Sequence, residues 1–392
     1  MKIEFKTLLA VLLAMFVMSS CNKQDFTENL TLDEANVTTE ALAKKGKHRG
    51  FYADVNRVGA VYTMDNALGS NHVIAFNRHK DGTLGKPKKY ATQGGGTGSG
   101  LGSQGAIVSD GEYLYVCNAG SNSISVFRIA GPTLHFVDKT YSQGVMPISL
   151  TVHDDLVYVL NAGGSGNISG FRSNYGHLSH IYGSKQPLSS SSAGGAQVSF
   201  NNEGDQLVVT EKATNRITTY AVGADGRAGT GMSYASAGQT PFGFEFTPDG
   251  AIIVSEAFGG GANASTVTAY DLGSDGSVNS TSGPVATGQT AACWVVVTDD
   301  GEFAYASNTG SNNVTGFRIR SNGQLALLEG GDSGMTGAGP IDMDFSPNSI
   351  FLYVLNAGDD SITIFSRRYN GELYPVGTVT GLPAAVAGLA VE

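Results

Sequence analysis

YLYVCNAGSNSISVF, residues Tyr113–Phe127, reads as a short apolar strand, an Asn, a Gly/Ser/Asn turn and a second, alternating strand. The arrangement returns as FAYASNTGSNNVTGF (Phe303–Phe317) and FLYVLNAGDDSITIF (Phe351–Phe365), and weaker copies bring the total to seven. The residue that opens the turn falls at Asn66, Asn118, Asn161, Glu211, Glu256, Asn308 and Asn356, at spacings of 43 to 52 residues. A period of that length is one four-stranded blade of a β-propeller.

Each blade needs an innermost strand A before the repeated strands B and C. Apolar runs supply it at Gly105–Val108, Ile148–Val152, Gln197–Phe200, Phe242–Phe246, Cys293–Val297, Ile341–Phe345 and Ala387–Val391. Turns such as Pro248-Asp249-Gly250 and Asp299-Asp300-Gly301 carry the glycine that a tight hairpin requires. The first strand B, Gly59–Thr63, has no A before it, and the last A has no B after it. The expectation is an all-β, seven-bladed β-propeller of four-stranded blades over residues 51–392. Its ring is closed by the C-terminal strand joining the N-terminal blade, which removes both open edges. Up-down connectivity then places the B–C and D–A loops on one face, where a site belongs. The other face is left to Asp/Asn-Gly turns.

Composition agrees: 54 of 392 residues are Gly, 41% are apolar and only 15% are charged, as in a turn-rich folded β protein. A net charge of −10 and the lack of a basic, aromatic-studded patch argue against nucleic acid as a partner. Residues 1–20 read as a signal peptide, with Lys2 and Lys6 flanking the apolar stretch Leu8–Met18. Met18-Ser19-Ser20-Cys21 resembles a bacterial lipobox, so lipidation of Cys21 is expected, with residues 21–50 as a polar, flexible tether. The expected location is the cell envelope, as an outer-membrane lipoprotein facing the periplasm or the surface. Plain secretion is the alternative. Cys117 and Cys293 lie in distant blades and are expected to be buried thiols, not a disulfide.

The seven Tyr-Val/Asn-x-Gly-Ser-Asn copies resemble the lactonase-type seven-bladed propellers, the YVTN family, which includes 6-phosphogluconolactonases and fungal-type carboxymuconate cyclases. The resemblance covers Gly59 to Glu392. It implies hydrolysis of a lactone or cycloisomerisation of a related acid, and it carries over one position, Glu211 in Val209-Thr210-Glu211-Lys212. Two other family features are missing. The A strands begin without His or Arg, and the only Asp-Leu-Gly-x-Asp string, Asp271–Asp275, lies at a C–D turn on the opposite face.

The residues that break the repeat are the candidate site. Glu211 and Glu256 replace Asn at the turn-opening position, either both as turn caps or with one of them as an acid–base or ligand-binding carboxylate. Arg216 and His72 share a position that is Ser, Thr or Asn elsewhere, and Lys212 adjoins Glu211. On the catalytic reading Glu211 is the acid–base and Arg216 its partner, while Lys212, Glu256 and His72 bind an anionic or polar substrate. On the alternative reading the propeller is non-catalytic and binds a protein or glycan through its Gly/Ser/Asn-rich B–C and D–A loops. Thr92–Gln104, a Gly/Ser run on that face, is either a lid over the channel mouth or tolerated surface. It contains G-x-G-x-x-G at Gly100–Gly105, but an apolar strand follows where a dinucleotide site needs a helix. No cofactor and no metal site are expected, although Gln197, Glu245, Asp342 and Asp344 give the inner strands an acidic cast. Trp294 and Phe242 are placed in the core or under a pocket. The lipobox makes its own prediction: cells expressing the chain incorporate labelled palmitate into it, and Cys21→Ser abolishes the label.

Overall fold

A computed structural model describes Gly59–Glu392, apart from Pro132, Glu329, Gly330 and Asp332. The signal, Cys21 and the tether therefore lie outside the described residues. Seven antiparallel sheets are arranged around a channel, each with strands lettered A to D from the channel outwards. The A strands are Ile107–Ser109, Val145–His153, Gly195–Phe200, Pro241–Phe246, Ala292–Val297, Pro340–Phe345 and Ala387–Val391. The last of these pairs antiparallel with Ala60–Met64, so the first blade joins both ends of the folded chain, as expected. In chain order the first blade is completed by His72–Asn77 and Lys88–Ala91.

Each conserved letter of the repeat has a bond to make. The strand-B tyrosines are fully buried and reach the next blade. Tyr158 Oη donates to Gly226 O (2.8 Å), Tyr305 Oη to Gly371 O (2.6 Å) and Tyr353 Oη to Gly82 O (2.8 Å). The acceptor sits in the neighbour's C–D turn, where φ is +81°, +91° and +82°. A Cβ there would also fall 2.7 Å from Leu156, 2.4 Å from Phe303 and 2.3 Å from Phe351. Glycine is thus required twice over, by the turn and by the neighbouring blade.

The turn-opening asparagines tie strand B to strand C. Asn118 Nδ2 donates to Ser125 Oγ (2.8 Å), and Asn308 Nδ2 to Asn313 Oδ1 and Thr315 Oγ1 (2.9 Å each). Asn356 Nδ2 donates to Ser361 Oγ and Thr363 Oγ1 (3.0 Å each). The first blade departs from the expected alignment. Met64 pairs with Val73, and Asp65 N donates to His72 O (3.0 Å), so Asp65 and not Asn66 holds the position opposite His72. Asn66 lies one residue further on at φ +42° and turns away to donate to Thr97 Oγ1 (2.9 Å) and Ser99 O (2.5 Å).

The inner edges of the A strands face the channel with backbone amides that no strand pairs. At four of the seven blade junctions, side chains of the preceding blade accept them. Val198 N donates to Ser149 Oγ (3.1 Å), Phe200 N to Thr151 Oγ1 (3.0 Å), Phe244 N to Gln197 Oε1 (2.7 Å) and Val297 N to Glu245 Oε2 (2.7 Å). Leu389 N and Val391 N donate to Asp342 Oδ2 (3.0 Å) and Asp344 Oδ2 (2.8 Å). The acids along the channel are therefore caps of the ring's own inner edge. Cys117 and Cys293 are buried free thiols, as expected.

Burial raises the carboxyl of Asp342 well above the usual carboxylate range and that of Asp344 to about 7, against amide donors that pull the other way. Asp344 keeps part of its surface towards the channel, but its oxygens lie against the amides of Phe345 and Val391. A carboxyl raised on folding stabilises the protein fully below its unfolded value of about 4, and each tenfold change in proton affinity is worth about 1.4 kcal/mol. Stability from Asp344 is accordingly lost as pH rises from about 4 through about 7. Calorimetric melting across that range is expected to show a smaller decline in Asp344→Asn than in the wild type.

Candidate functional site

The two glutamates that break the repeat reverse the polarity of the asparagine they replace. Glu211 is fully buried and accepts from Ser189 N (2.9 Å), Ser189 Oγ, Thr214 Oγ1 (2.8 Å) and Thr218 Oγ1 (2.9 Å). Thr218 stands seven residues on, as Ser125 does from Asn118, but here the hydroxyl donates. Glu256, also fully buried, accepts from Thr266 Oγ1 (2.5 Å), Thr268 Oγ1 (2.9 Å), Tyr270 Oη (3.0 Å), Gly238 N (3.2 Å) and Ser236 Oγ (3.4 Å). Burial pushes the Glu256 carboxyl up, while those donors offset part of the rise. A carboxylate has about four lone-pair sites, so both groups are saturated from within.

The cations expected beside them are dispersed. Arg216 lies opposite Glu211 in register, yet its exposed side chain places Nη1 3.3 Å from Ser233 O. His72 pairs with Asp65 (Nδ1 to Oδ2 3.0 Å), which Lys89 also approaches at 3.4 Å. Lys212 is half-buried over the ring of Phe242, 4.7 Å from its centroid, and burial lowers the pKa of its ammonium. Its Nζ donates to Gly102 O at 2.5 Å.

That last bond belongs to the segment expected either as a lid over the channel mouth or as tolerated surface. Thr92–Gln104 lies across the mouth as a plug bonded to several blades. Gly96 N and Gly98 N donate to Ala67 O and Asn66 O (2.8 Å each), and Gly120 N donates to Gly95 O (2.9 Å). Leu101 and Ser103 are buried, and Ser103 Oγ donates to Ile148 O (2.7 Å). Trp294 Nε1 donates to Ser103 O (2.9 Å). Gln104 then spans the opening: its Nε2 donates to Val295 O (2.7 Å), its Oε1 accepts from Val295 N (3.1 Å), and its backbone N donates to Ala196 O (3.2 Å). Gly243 makes the room, since a Cβ there would stand 2.1 Å from Gln104 Oε1. Phe242 and Trp294, 4.9 Å apart, pack beneath the plug. The only signal in the chain was that a Gly/Ser run ended in a lone Gln.

Below the plug the A strands enclose a cavity of about 370 Å³ lined by Gln197, Glu245, Asp342, Asp344 and Glu392 among others. Among the described residues no group of three or more His, Cys, Asp or Glu side chains is arranged to hold a metal ion.

The family model for lactonases, described as a seven-bladed β-propeller, matches residues 61–182 and 264–388. The chain belongs to that family. The match omits 183–263, which is where Glu211, Lys212, Arg216 and Glu256 lie. No curated protein matches the chain. Among solved structures, a protein from Lactobacillus plantarum is 18% identical with a TM-score of 0.67, over 86% of this chain and 99% of that one. A Pseudomonas aeruginosa periplasmic gluconolactonase is 16% identical with a TM-score of 0.67, over 85% and 98%. A Bacteroides fragilis protein, described as a candidate 6-phosphogluconolactonase, is 19% identical with a TM-score of 0.62, over 87% and 99%. At these identities the likeness is one of fold.

The saturation of Glu211 has a consequence for stability. Glu211→Gln turns an NH2 group towards donors, leaving buried groups unpaired, and is expected to cost about 1–3 kcal/mol in denaturant unfolding. A carboxylate held for chemistry alone would tolerate the change with no loss.

Proposed function

We propose that this lactonase-family propeller is a cell-envelope binding module and not a lactone hydrolase. One observation carries the reading: the carboxylate nominated for acid–base work, Glu211, is fully buried with four donors on it. General acid–base catalysis needs a group within hydrogen-bond reach of substrate, about 2.6–3.2 Å. The plug supports the same reading, because it occupies the channel mouth where a small substrate would settle. What remains accessible on that face is loop surface. Leu68 (80% exposed) stands on a B–C loop, Met335 (63%) on a D–A connection and Tyr141 (74%) at the end of an outer strand leading into one, an apolar and aromatic offering that suits a protein or glycan.

The family membership favours a second reading, in which the chain opens a lactone or closes a related acid. That chemistry would require the plug to withdraw and Glu211 to exchange its internal donors for substrate. The two readings separate in one assay. The purified chain, offered glucono- and 6-phosphogluconolactone, is expected to leave the rate of spontaneous hydrolysis unchanged. Turnover that Glu211→Gln abolishes would overturn the binding-module assignment.

A further inference from the structure

The charge of this acidic protein is unevenly placed. Of the seven lysines between Gly59 and Glu392, four fall within one ten-residue stretch: Lys80, Lys86, Lys88 and Lys89. Lys88 and Lys89 lie on the outermost strand of the first blade, Lys88–Ala91, with Lys86 just before it, and all three are exposed. No other outer strand resembles it. Those of the third to seventh blades, His177–His180, Met232–Ala235, Val278–Ala286, Leu325–Leu327 and Leu373–Thr380, contain no Asp, Glu, Lys or Arg. That of the second, Thr133–Tyr141, balances Lys139 against Asp138. The acids of the first blade offset little of this. Asp65 is buried and divided between His72 and Lys89, whose Nζ stands 3.4 Å from it, and Asp81 sits in the C–D turn, where it accepts from Thr83, so Lys86 and Lys88 carry most of the excess charge.

The patch also lies where the chain enters the propeller. Ala60 pairs with Asn77, and Asn77 O accepts from Gly85 N (2.8 Å), so Lys86 stands two strand spacings, about 10 Å, from the first strand. Lys44-Lys45-Gly46-Lys47-His48-Arg49 precedes Ala60 by eleven residues, a contour of at most about 40 Å.

We propose that the outer edge of the first blade docks on an anionic phospholipid surface, setting the propeller edge-on to the membrane. Basic residues close to such a surface are each attracted by the negative headgroup potential, whereas the remainder of a chain of net charge −10 is repelled. Attraction at one rim and repulsion elsewhere fix an orientation, with both ends of the channel turned sideways. Lysines also discourage pairing at an exposed strand edge. That explanation alone would leave the outer strands of the third to seventh blades, five edges, undefended by the same means. The proposal is independent of whether the chain turns over a lactone.

The test uses the chain from residue 21 onwards carrying Cys21→Ser, so that neither an acyl chain nor the apolar stretch Leu8–Met18 contributes, in sedimentation with phosphatidylcholine vesicles with or without phosphatidylglycerol. Binding is expected only to the phosphatidylglycerol vesicles and is expected to weaken as salt is raised. Replacing Lys86, Lys88 and Lys89 together by Gln should lower the partition coefficient about tenfold or more, while the same positions as Arg retain it. Lys185→Gln, on the third blade, should change nothing. An unaltered melting temperature shows that the triple variant is folded. Equal binding to both vesicle types, no binding to either, or full binding by the triple Gln variant would each overturn the proposal. The last outcome would assign the attraction to Lys44–Arg49 alone.

Discussion

The ring depends on the amides of its inner edge. A propeller leaves its outer strand edges open to solvent, whereas the seven A strands crowd their unpaired N–H groups around one narrow channel. An unpaired buried amide is costly, so each must find an acceptor. Ser149, Thr151, Gln197, Glu245, Asp342 and Asp344 provide them at four of the seven blade junctions, each reaching from one blade into the next, and Gly105 O accepts Leu150 N at another. The same bonds therefore saturate the edge and set the angle between neighbouring blades. Acids in such places are held against burial by the amides they accept, which is why an acidic channel need imply no cation.

Departures from the repeat deserve the same accounting as the repeat itself. Strand C offers a Ser or Thr hydroxyl in these blades, which accepts from an Asn and donates to a Glu. What sets the Glu turns apart is the adjoining D–A loop, whose Ser189 and Gly238 amides donate to the carboxylates. Asn118, Asn308 and Asn356 on one side, and Glu211 and Glu256 on the other, do one job with the direction of the hydrogen bonds reversed. Gly238 shows how closely the fit is made, since a Cβ there would lie 2.6 Å from the Glu256 carboxyl carbon. A substitution that looks like chemistry in a single sequence is here matched by its neighbours' hydroxyls.

What distinguishes this propeller is the segment between its first two blades. Thr92–Gln104 leaves the rim, crosses the mouth and bonds to the third, fourth and sixth blades on the far side. It converts an open channel into a cavity closed from the loop face. Lys212, half-buried and over Phe242, holds it through Gly102 and so loses the freedom to serve a substrate.

Local sequence determined the architecture because its causes are local. A period of 43 to 52 residues, a Tyr three residues before the turn and a glycine in each C–D hairpin act within one blade or on the next. Alignment of the copies therefore located all seven A strands and the closing partnership of Ala387–Val391 with Ala60–Met64. It slipped by one residue at Asp65, where the first B–C turn is irregular. The site was less legible. Whether Glu211 meets a substrate or Ser189, and whether a Gly/Ser run caps the mouth or threads it, depend on residues that meet only when the ring closes: Gln104 and Val295, for example, are 191 positions apart. The repeat encodes how each blade contacts its neighbour; what lies across the channel is decided by the closed ring.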